Sequence, residues 1–377
     1  MKGTDAMKSQ AAVLREPGTS FTIDEIDITP PRDGELLVRI EAVGICHTDL
    51  VFASGALGTP FPLVLGHEGA GTVEQIGAGV TGFAEGDKVL LTFDSCGHCH
   101  QCEAHLPSYC DTFTSLNYDA VRSDGSSPAS SADGQVAARF FGQSSFSRYA
   151  IATARNAVKV PENSDLAVLA PLGCGVQTGV GGITRSLGAR PGTSLVIFGG
   201  GAVGLSAVMG GVLAKCRSII LVEPRAERRA LALELGAHHA LDPDDGDVVE
   251  AVRTIAPGGV DYVFDTSGVT ALVQSALGML APNGMIGLVG VPGNLEAALT
   301  LPVVPTITFG HGVKGIIEGD SEPGEFLPEL VRLHSEGLLP VEKMITTYPF
   351  ENINEAISDS HSGKCIKPVL VFANDEQ

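Results

Sequence analysis

Four cysteines, in Cys96-Gly97-His98-Cys99-His100-Gln101-Cys102 and then Cys110, constrain this chain more than any other feature. Spacings of two, two and seven residues let four thiolates converge on one ion. Four protein ligands complete a tetrahedron, so such a zinc has no open position and is structural. His98 and His100, interleaved with the thiols, read as solvated loop residues. The remaining cysteines stand at 46, 174, 216 and 365. Met1 to Gln10 is polar and lacks the apolar segment of an export leader. Metal ligands or core thiols are therefore expected in place of disulfides, with a cytoplasmic location. Met7 reads as an ordinary start, so the first six residues are expected to be an extension without structural role.

At 377 residues the chain is too long for one ordinary core, and two domains are expected. A net charge of -20 argues against nucleic-acid or anionic-membrane partners. From Ala11 to about Lys88 the sequence reads as short strands, among them Leu36–Ile40 and Gly71–Ile76, separated by turn residues. Ser123 to Gly134 reads as a mobile surface loop. After Thr178 strands and helices alternate. Leu195–Phe198 and Ser218–Val222 read as strands, Ala202–Leu213 and Ala226–Leu235 as helices, and Tyr262–Phe264 and Met285–Val289 continue the series. That alternation predicts a doubly wound parallel sheet. The uncharged run Ser194–Ala214 is long enough to raise a membrane span, but its glycine-rich middle favours strand, turn and helix.

Two further patterns carry chemistry. Cys46, His67 and Cys174 sit in Cys46-His47-Thr48-Asp49, Gly66-His67-Glu68-Gly69-Ala70-Gly71 and Pro171-Leu172-Gly173-Cys174-Gly175. Two thiolates and one imidazole on zinc leave a fourth position open, as a Lewis-acid site requires. Gly199-Gly200-Gly201-Ala202-Val203-Gly204 follows an apolar strand and opens a helix, the context in which Gly-x-Gly-x-x-Gly binds a dinucleotide pyrophosphate. Glu223 follows the last of these glycines by 19 residues. A carboxylate there suits ribose hydroxyls and repels a 2'-phosphate, which favours NAD. Arg225 and Arg228 stand close enough to reach a phosphate and leave NADP open.

These residues resemble the medium-chain, zinc-containing alcohol dehydrogenases from about Ala11 to Phe372. The most specific match is Gly66-His67-Glu68-x-x-Gly71-x-x-x-x-x-Gly77-x-x-Val80. The resemblance implies an α/β chain: a GroES-like β-rich catalytic domain over 1–178, with 313–377 packing back onto it, and a Rossmann domain over 179–312. It implies an active site in the cleft between them. Cys46, His67 and Cys174 would hold a catalytic zinc, Cys96, Cys99, Cys102 and Cys110 a structural one, making two per chain. Glu68 would be an occasional ligand, Asp49 the carboxylate orienting His67, and Thr48 the group that takes the alcohol proton's hydrogen bond. The NAD set would be Gly199, Gly201, Val203, Gly204, Glu223 and Arg228, with His47 and Lys367 on the phosphates. The family implies hydride transfer to nicotinamide, domain closure to exclude water, and a homodimer or homotetramer through the Rossmann domain.

Many family members carry a proton-relay histidine where this chain has Val51, so the proton must leave through water or another base. The same replacement, and Glu318-Gly319-Asp320-Ser321, resemble the aryl (benzyl) alcohol dehydrogenase branch. Leu57, Phe93, Leu116, Phe140 and Val291 would line an apolar pocket for a primary benzyl or allylic alcohol, oxidised reversibly to the aldehyde. A broad aliphatic alcohol dehydrogenase is the nearest alternative, and a non-catalytic relative on the same fold is another. Metal-free quinone reductases lack both cysteine sets. Leu57 and Ser115 replace the acidic residue and arginine of the glutathione-dependent formaldehyde dehydrogenases, which argues against that activity.

Overall fold

The computed structural model describes residues 6–373, so residues 1–5 of the expected N-terminal extension lie outside the described residues. The chain forms two compact units. One runs to Cys174 and resumes over Glu322–Gly337 and from Val341 onward, and the other comprises Gly175–Ser321 with Leu338–Pro340.

The first unit is β-rich. One sheet has the order Leu63–Val64, Met7–Leu14, Thr22–Ile28, Ala129–Ser131, Gly134–Val136. Of the last two strands, Ala129–Ser131 lies within the stretch expected to be a mobile surface loop, Ser123 to Gly134, and Gly134–Val136 begins at its last residue. That expectation is corrected: Ser130 and Ala129 pair with Asp27 and Ile28, so the segment is a hairpin extending the sheet. The second sheet has the order Ala157–Lys159, Lys88–Leu91, Glu68–Ile76, Glu35–Gly44, Lys367–Val371, Ile345–Pro349, with Tyr149–Thr153 also on Glu35–Gly44. Leu36, Val38, Ile40 and Ala42 are buried, while Arg39 and Glu41 alternate with them and are only half-buried. Those two engage the neighbouring strand, where Thr72 donates to Glu41 at 2.6 Å and Arg39 lies 3.5 Å from Glu74. The register sets Gly44 opposite Glu68, which brings Cys46 and His67 to the same end of the sheet.

A charged knot stabilises this unit. Arg122 makes two 2.8 Å hydrogen bonds to Glu35, Arg139 adds one at 3.0 Å, and Arg139 also reaches Asp94 at 3.4 Å. All four side chains are buried. Burial opposes a charged Glu35, but the Arg122 hydrogen bonds and the two guanidinium charges more than offset it and hold the carboxyl below its ordinary value.

The second unit is a six-stranded, wholly parallel sheet. Its order is His239–Leu241, Ser218–Val222, Ser194–Phe198, Val260–Asp265, Leu280–Leu288, Gly312–Gly315. Numbered along the chain this is 3-2-1-4-5-6, the doubly wound order. Leu195 to Phe198 are fully buried, as an all-apolar strand covered on both faces must be. The run Ser194–Ala214 resolves into strand Ser194–Phe198 and helix Ala202–Leu213. No single helix among the described residues is long and apolar enough to cross a membrane. The unit boundaries differ from those drawn on the sequence. Gly312–Gly315 pairs with Leu280–Leu288, so the second unit continues to Ser321 instead of ending at residue 312. It also begins at Gly175 instead of residue 179, because helix Gly175–Gly181 packs on Ala202–Leu213.

Glu35→Ala leaves Arg122 and Arg139 buried without their carboxylate. It is expected to cost about 3–5 kcal/mol, read as a lower calorimetric midpoint for the first unit's transition. Because the folded Glu35 value is depressed, its stabilisation is complete above the unfolded carboxylate value. It is lost as pH falls through the folded one, so wild type and variant should converge in acid.

Candidate active site and metal centres

Cys46, His67, Glu68 and Cys174 each present a ligand atom, and these atoms lie within 4.8 Å of one another. Cys46 ends the segment after strand Glu35–Gly44 and caps helix His47–Ala53; His67 immediately precedes strand Glu68–Ile76; Cys174 follows a short turn of helix, Ala170–Gly173. Asp49 ties the first two together. Its carboxylate accepts from Cys46 N at 2.9 Å and Gly66 N at 3.0 Å, and lies 2.9 Å from His67 Nδ1. A carboxylate at Nδ1 fixes the proton there and makes Nε2 the electron-pair donor. His67 Nε2 is buried and has no hydrogen-bond partner. An orphaned imidazole nitrogen beside two thiols is costly unless an ion takes it, and this donor set suits zinc.

Charge in the pocket favours ligation. A hydrogen bond from Cys174, then His67 and Lys367, holds Cys46 well below the ordinary thiol value despite burial, which favours the thiolate form that ligation needs. Burial alone would lower His67, but Asp49 prevails and raises it. Zinc loading therefore competes with protonation. Lys367, expected on a cofactor phosphate, is buried here. Its Nζ lies 2.8 and 2.6 Å from the two Glu68 oxygens and 3.1 Å from the Ile45 carbonyl. Glu68, the expected occasional ligand, is thus held in an ion pair at the edge of the cluster.

Cys96, Cys99, Cys102 and Cys110 also converge, again with Sγ atoms within 4.8 Å. Backbone N–H groups of Asp111 and Cys102 lower Cys99 to about 6. Burial pushes Cys102 up to about 12. Cys96 N donates to Cys110 Sγ at 3.3 Å. Amide groups turned toward sulfur are what a thiolate cluster needs. His98 and His100 are exposed beside it.

In the second unit, Gly199 turns at φ 92° and Gly201 caps helix Ala202–Leu213. A side chain on Gly204 would strike the Gly199 carbonyl, whereas the space around Gly201 is open. Val203 lies on the first turn of that helix. Glu223 Oε2 accepts from Gly200 N at 2.6 Å and Oε1 from Arg225 N at 3.0 Å. The loop and the carboxylate thus form one unit; Arg228 packs against the same loop, its Cβ near Gly200. The Glu318–Ser321 segment is buried and bound to helix Gly175–Gly181: Gln177 Nε2 donates to Glu318 at 3.1 Å and Ser321 donates to Gln177 at 2.8 Å.

The other expected site residues are placed unevenly. Thr48 Oγ1 lies 3.8 Å from Cys46 Sγ, and His47 is exposed at the start of its helix. Phe93 and Phe140 are fully buried, Phe140 standing edge-on to His67 with ring centroids 5.5 Å apart. Leu116 is half-buried. Leu57 and Val291 are 45% and 48% exposed and belong to different units, so the structure does not gather them with Phe93 and Phe140. Val51 is half-buried on helix His47–Ala53. Phe141 was not singled out in the sequence, yet its ring stacks on His67 at 4.5 Å and 26°. Its only sequence signal is the aromatic pair Phe140-Phe141, which core packing explains equally well.

Comparison with known proteins agrees with both units. The alcohol dehydrogenase GroES-like domain matches residues 32–162 and the zinc-binding dehydrogenase domain residues 202–335. Geraniol dehydrogenase of Castellaniella defragrans is 44% identical over 370 residues, covering 98% of this chain and 99% of that protein. Among solved structures, an alcohol dehydrogenase zinc-binding domain protein from Burkholderia ambifaria has 44% identity and a TM-score of 0.96, covering 98% of this chain and 100% of that one. Benzyl alcohol dehydrogenase from Acinetobacter calcoaceticus has 36% identity and a TM-score of 0.94, covering 97% and 100%. With both domains matched and a relative aligned along nearly the whole chain, this protein belongs to the zinc-containing medium-chain alcohol dehydrogenase family and acts on alcohols.

Proposed function

We propose that the protein oxidises primary allylic or aromatic alcohols reversibly to aldehydes, with NAD as hydride acceptor and two zinc ions per chain. The observation that carries the catalytic half is the buried, unpartnered His67 Nε2 beside Cys46 and Cys174. Cys46, His67 and Cys174 hold the catalytic zinc, and Cys96, Cys99, Cys102 and Cys110 the structural one. Bound zinc supplies Lewis acidity that lowers an alcohol's pKa, and NAD supplies the acceptor carbon for hydride. The chain's own part is to place the groups and keep water out. Asp49 fixes the His67 tautomer, and Thr48 accepts a hydrogen bond from the alcohol hydroxyl. Phe93, Phe140, Leu116 and Leu57 of the first unit are the proposed apolar contacts to the substrate. Val51 accepts no proton, so water or another base carries it away.

The substrate class is supported by the two named relatives, one for an allylic and one for a benzylic alcohol. NAD is supported by Glu223, whose carboxylate is fixed against the glycine loop, where it favours ribose hydroxyls and repels a 2'-phosphate. His47 is the remaining proposed phosphate contact; Lys367, buried on Glu68, is not one. A homo-oligomer is supported by helix Val303–Phe309, which leaves Val303, Val304 and Ile307 more than two-thirds exposed beside edge strand Gly312–Gly315.

Steady-state assays on geraniol, benzyl alcohol and ethanol should give kcat/KM for the first two at least about tenfold above ethanol, a difference of roughly 1.4 kcal/mol in transition-state binding. Equal or better use of ethanol would establish the broad aliphatic reading instead. Glu223→Ala removes charged hydrogen bonds to ribose and should lower kcat/KM for NAD by about 10–100-fold, with a much smaller change for NADP. Metal analysis should find two zinc ions per chain. Cys110→Ser should retain about one, because three ligands no longer close the structural site.

A further inference from the structure

The sequence gives no role to Gln143 or Thr92, yet both are fully buried and bind the backbone beside two proposed zinc ligands. Gln143 Nε2 donates to the His67 carbonyl and to the Thr92 carbonyl, each at 3.0 Å. Its Oε1 accepts from Gly69 N at 3.0 Å and from the Ser145 hydroxyl at 2.6 Å. All four hydrogen-bonding capacities of the amide are filled. Its orientation is also decided, since two carbonyls can only accept and Gly69 N–H can only donate. The side chain therefore straddles Glu68, gripping the residue on each side. Thr92 continues the link, its hydroxyl donating at 2.7 Å to the carbonyl of Gly173, the residue before Cys174.

Two independent features indicate that the local structure is built around this clamp. A side chain on Gly69 would collide with the Ser145 hydroxyl and come within 2.9 Å of Gln143 Oε1, so only glycine admits it. The loop carrying Gln143 is held in costly backbone conformations, with the non-glycine residues Phe141 at φ 51° and Ser144 at 53°. Asn156 Nδ2 secures it through the carbonyls of Phe141 and Gly142, both at 3.2 Å, and Ser144 Oγ donates to Val64 O at 2.6 Å. The conformations that hold Phe141 against the His67 ring and Gln143 against its backbone persist because surrounding bonds over-determine them.

We propose that Gln143 and Thr92 are positioning residues that lock the backbones of His67 and Gly173–Cys174 into the arrangement that binds the catalytic metal. Asp49 ties Cys46 to His67; the Gln143–Thr92 link ties His67 to the Cys174 segment. The three ligands come from distant parts of the chain, and a metal site loses affinity sharply when its ligands are left loose. This inference rests on Cys46, His67 and Cys174 being a zinc site.

The test uses the full-length, zinc-loaded enzyme and its cobalt(II)-exchanged form. Gln143→Met and Gln143→Glu both remove the two N–H donors, and Glu keeps the acceptor for Gly69. Thr92→Val removes the hydroxyl, while Thr92→Ser retains it as the conservative rescue. The zinc of the four-cysteine lobe serves as an internal control. The Gln143 variants and Thr92→Val should release the catalytic zinc to a chelator about 10–100-fold faster than wild type. They should shift the cobalt absorption bands and lower kcat more than they raise KM, while the lobe zinc stays bound; Thr92→Ser should behave as wild type. If the variants lower the melting temperature but leave chelator release and cobalt spectrum unchanged, the residues are merely structural and the proposal is overturned. If a Gln143 variant does not fold, the Thr92 pair decides by the same readouts. If wild type binds no metal through Cys46, His67 and Cys174, the zinc reading itself fails, and the positioning proposal with it.

Discussion

The pairing of strand Glu35–Gly44 with Glu68–Ile76, completed by the Asp49 carboxylate, is the constraint on which the proposed catalytic centre depends. Gly44 opposite Glu68 brings Cys46 and His67 to one end of the sheet. Asp49 then accepts from the backbone at Cys46 and Gly66 while meeting the His67 ring. A single buried carboxylate thus fixes two ligand segments and one tautomer. Slipping the pairing by one residue would turn alternate side chains to the opposite face and dismantle the cluster.

Around that centre the first unit is unusually polar for its depth. Gln143, Thr92, Asn156 and Ser144 are buried with hydrogen bonds directed to backbone groups, and buried Ser145 donates to the Gln143 side chain. Farther out, Glu35, Asp94, Arg122 and Arg139 form the charged knot. Buried polar networks are costly when partly satisfied and rigid when complete. Rigidity is what a metal centre of three dispersed ligands requires. The Phe140 and Phe141 rings packed on His67 complete the arrangement by fixing the plane of the buried imidazole.

The second unit solves a different problem. Its parallel sheet needs no dispersed polar network, because one loop and one helix N-terminus form the proposed anion-binding element and Glu223 is anchored to that loop. The Glu318–Ser321 segment shows how a motif noticed for its resemblance can have a packing role, since its carboxylate and hydroxyl grip Gln177. The sheet's sixth strand, Gly312–Gly315, moved the domain boundary because parallel pairing to Leu280–Leu288 outweighs any local signal in the glycine-rich residues themselves.

By itself the sequence determined what local spacing encodes. The four-cysteine lobe, the glycine loop before helix Ala202–Leu213 and the strand–helix alternation were legible because each involves residues a few positions apart, whose geometry is set by the turn or helix they occupy. Cys46, His67 and Cys174 were suggested by their local settings but became secure only through family resemblance, since nothing in their spacing requires them to meet. Tertiary structure alone decided the rest. Asp49 meeting His67 was already implied by the resemblance, but Gln143 meets His67 across 76 residues and Thr92 meets Gly173 across 81. A buried glutamine or threonine has no signature in one sequence, because what distinguishes it is the set of backbone groups that strand pairing and loop strain bring within 3 Å of it.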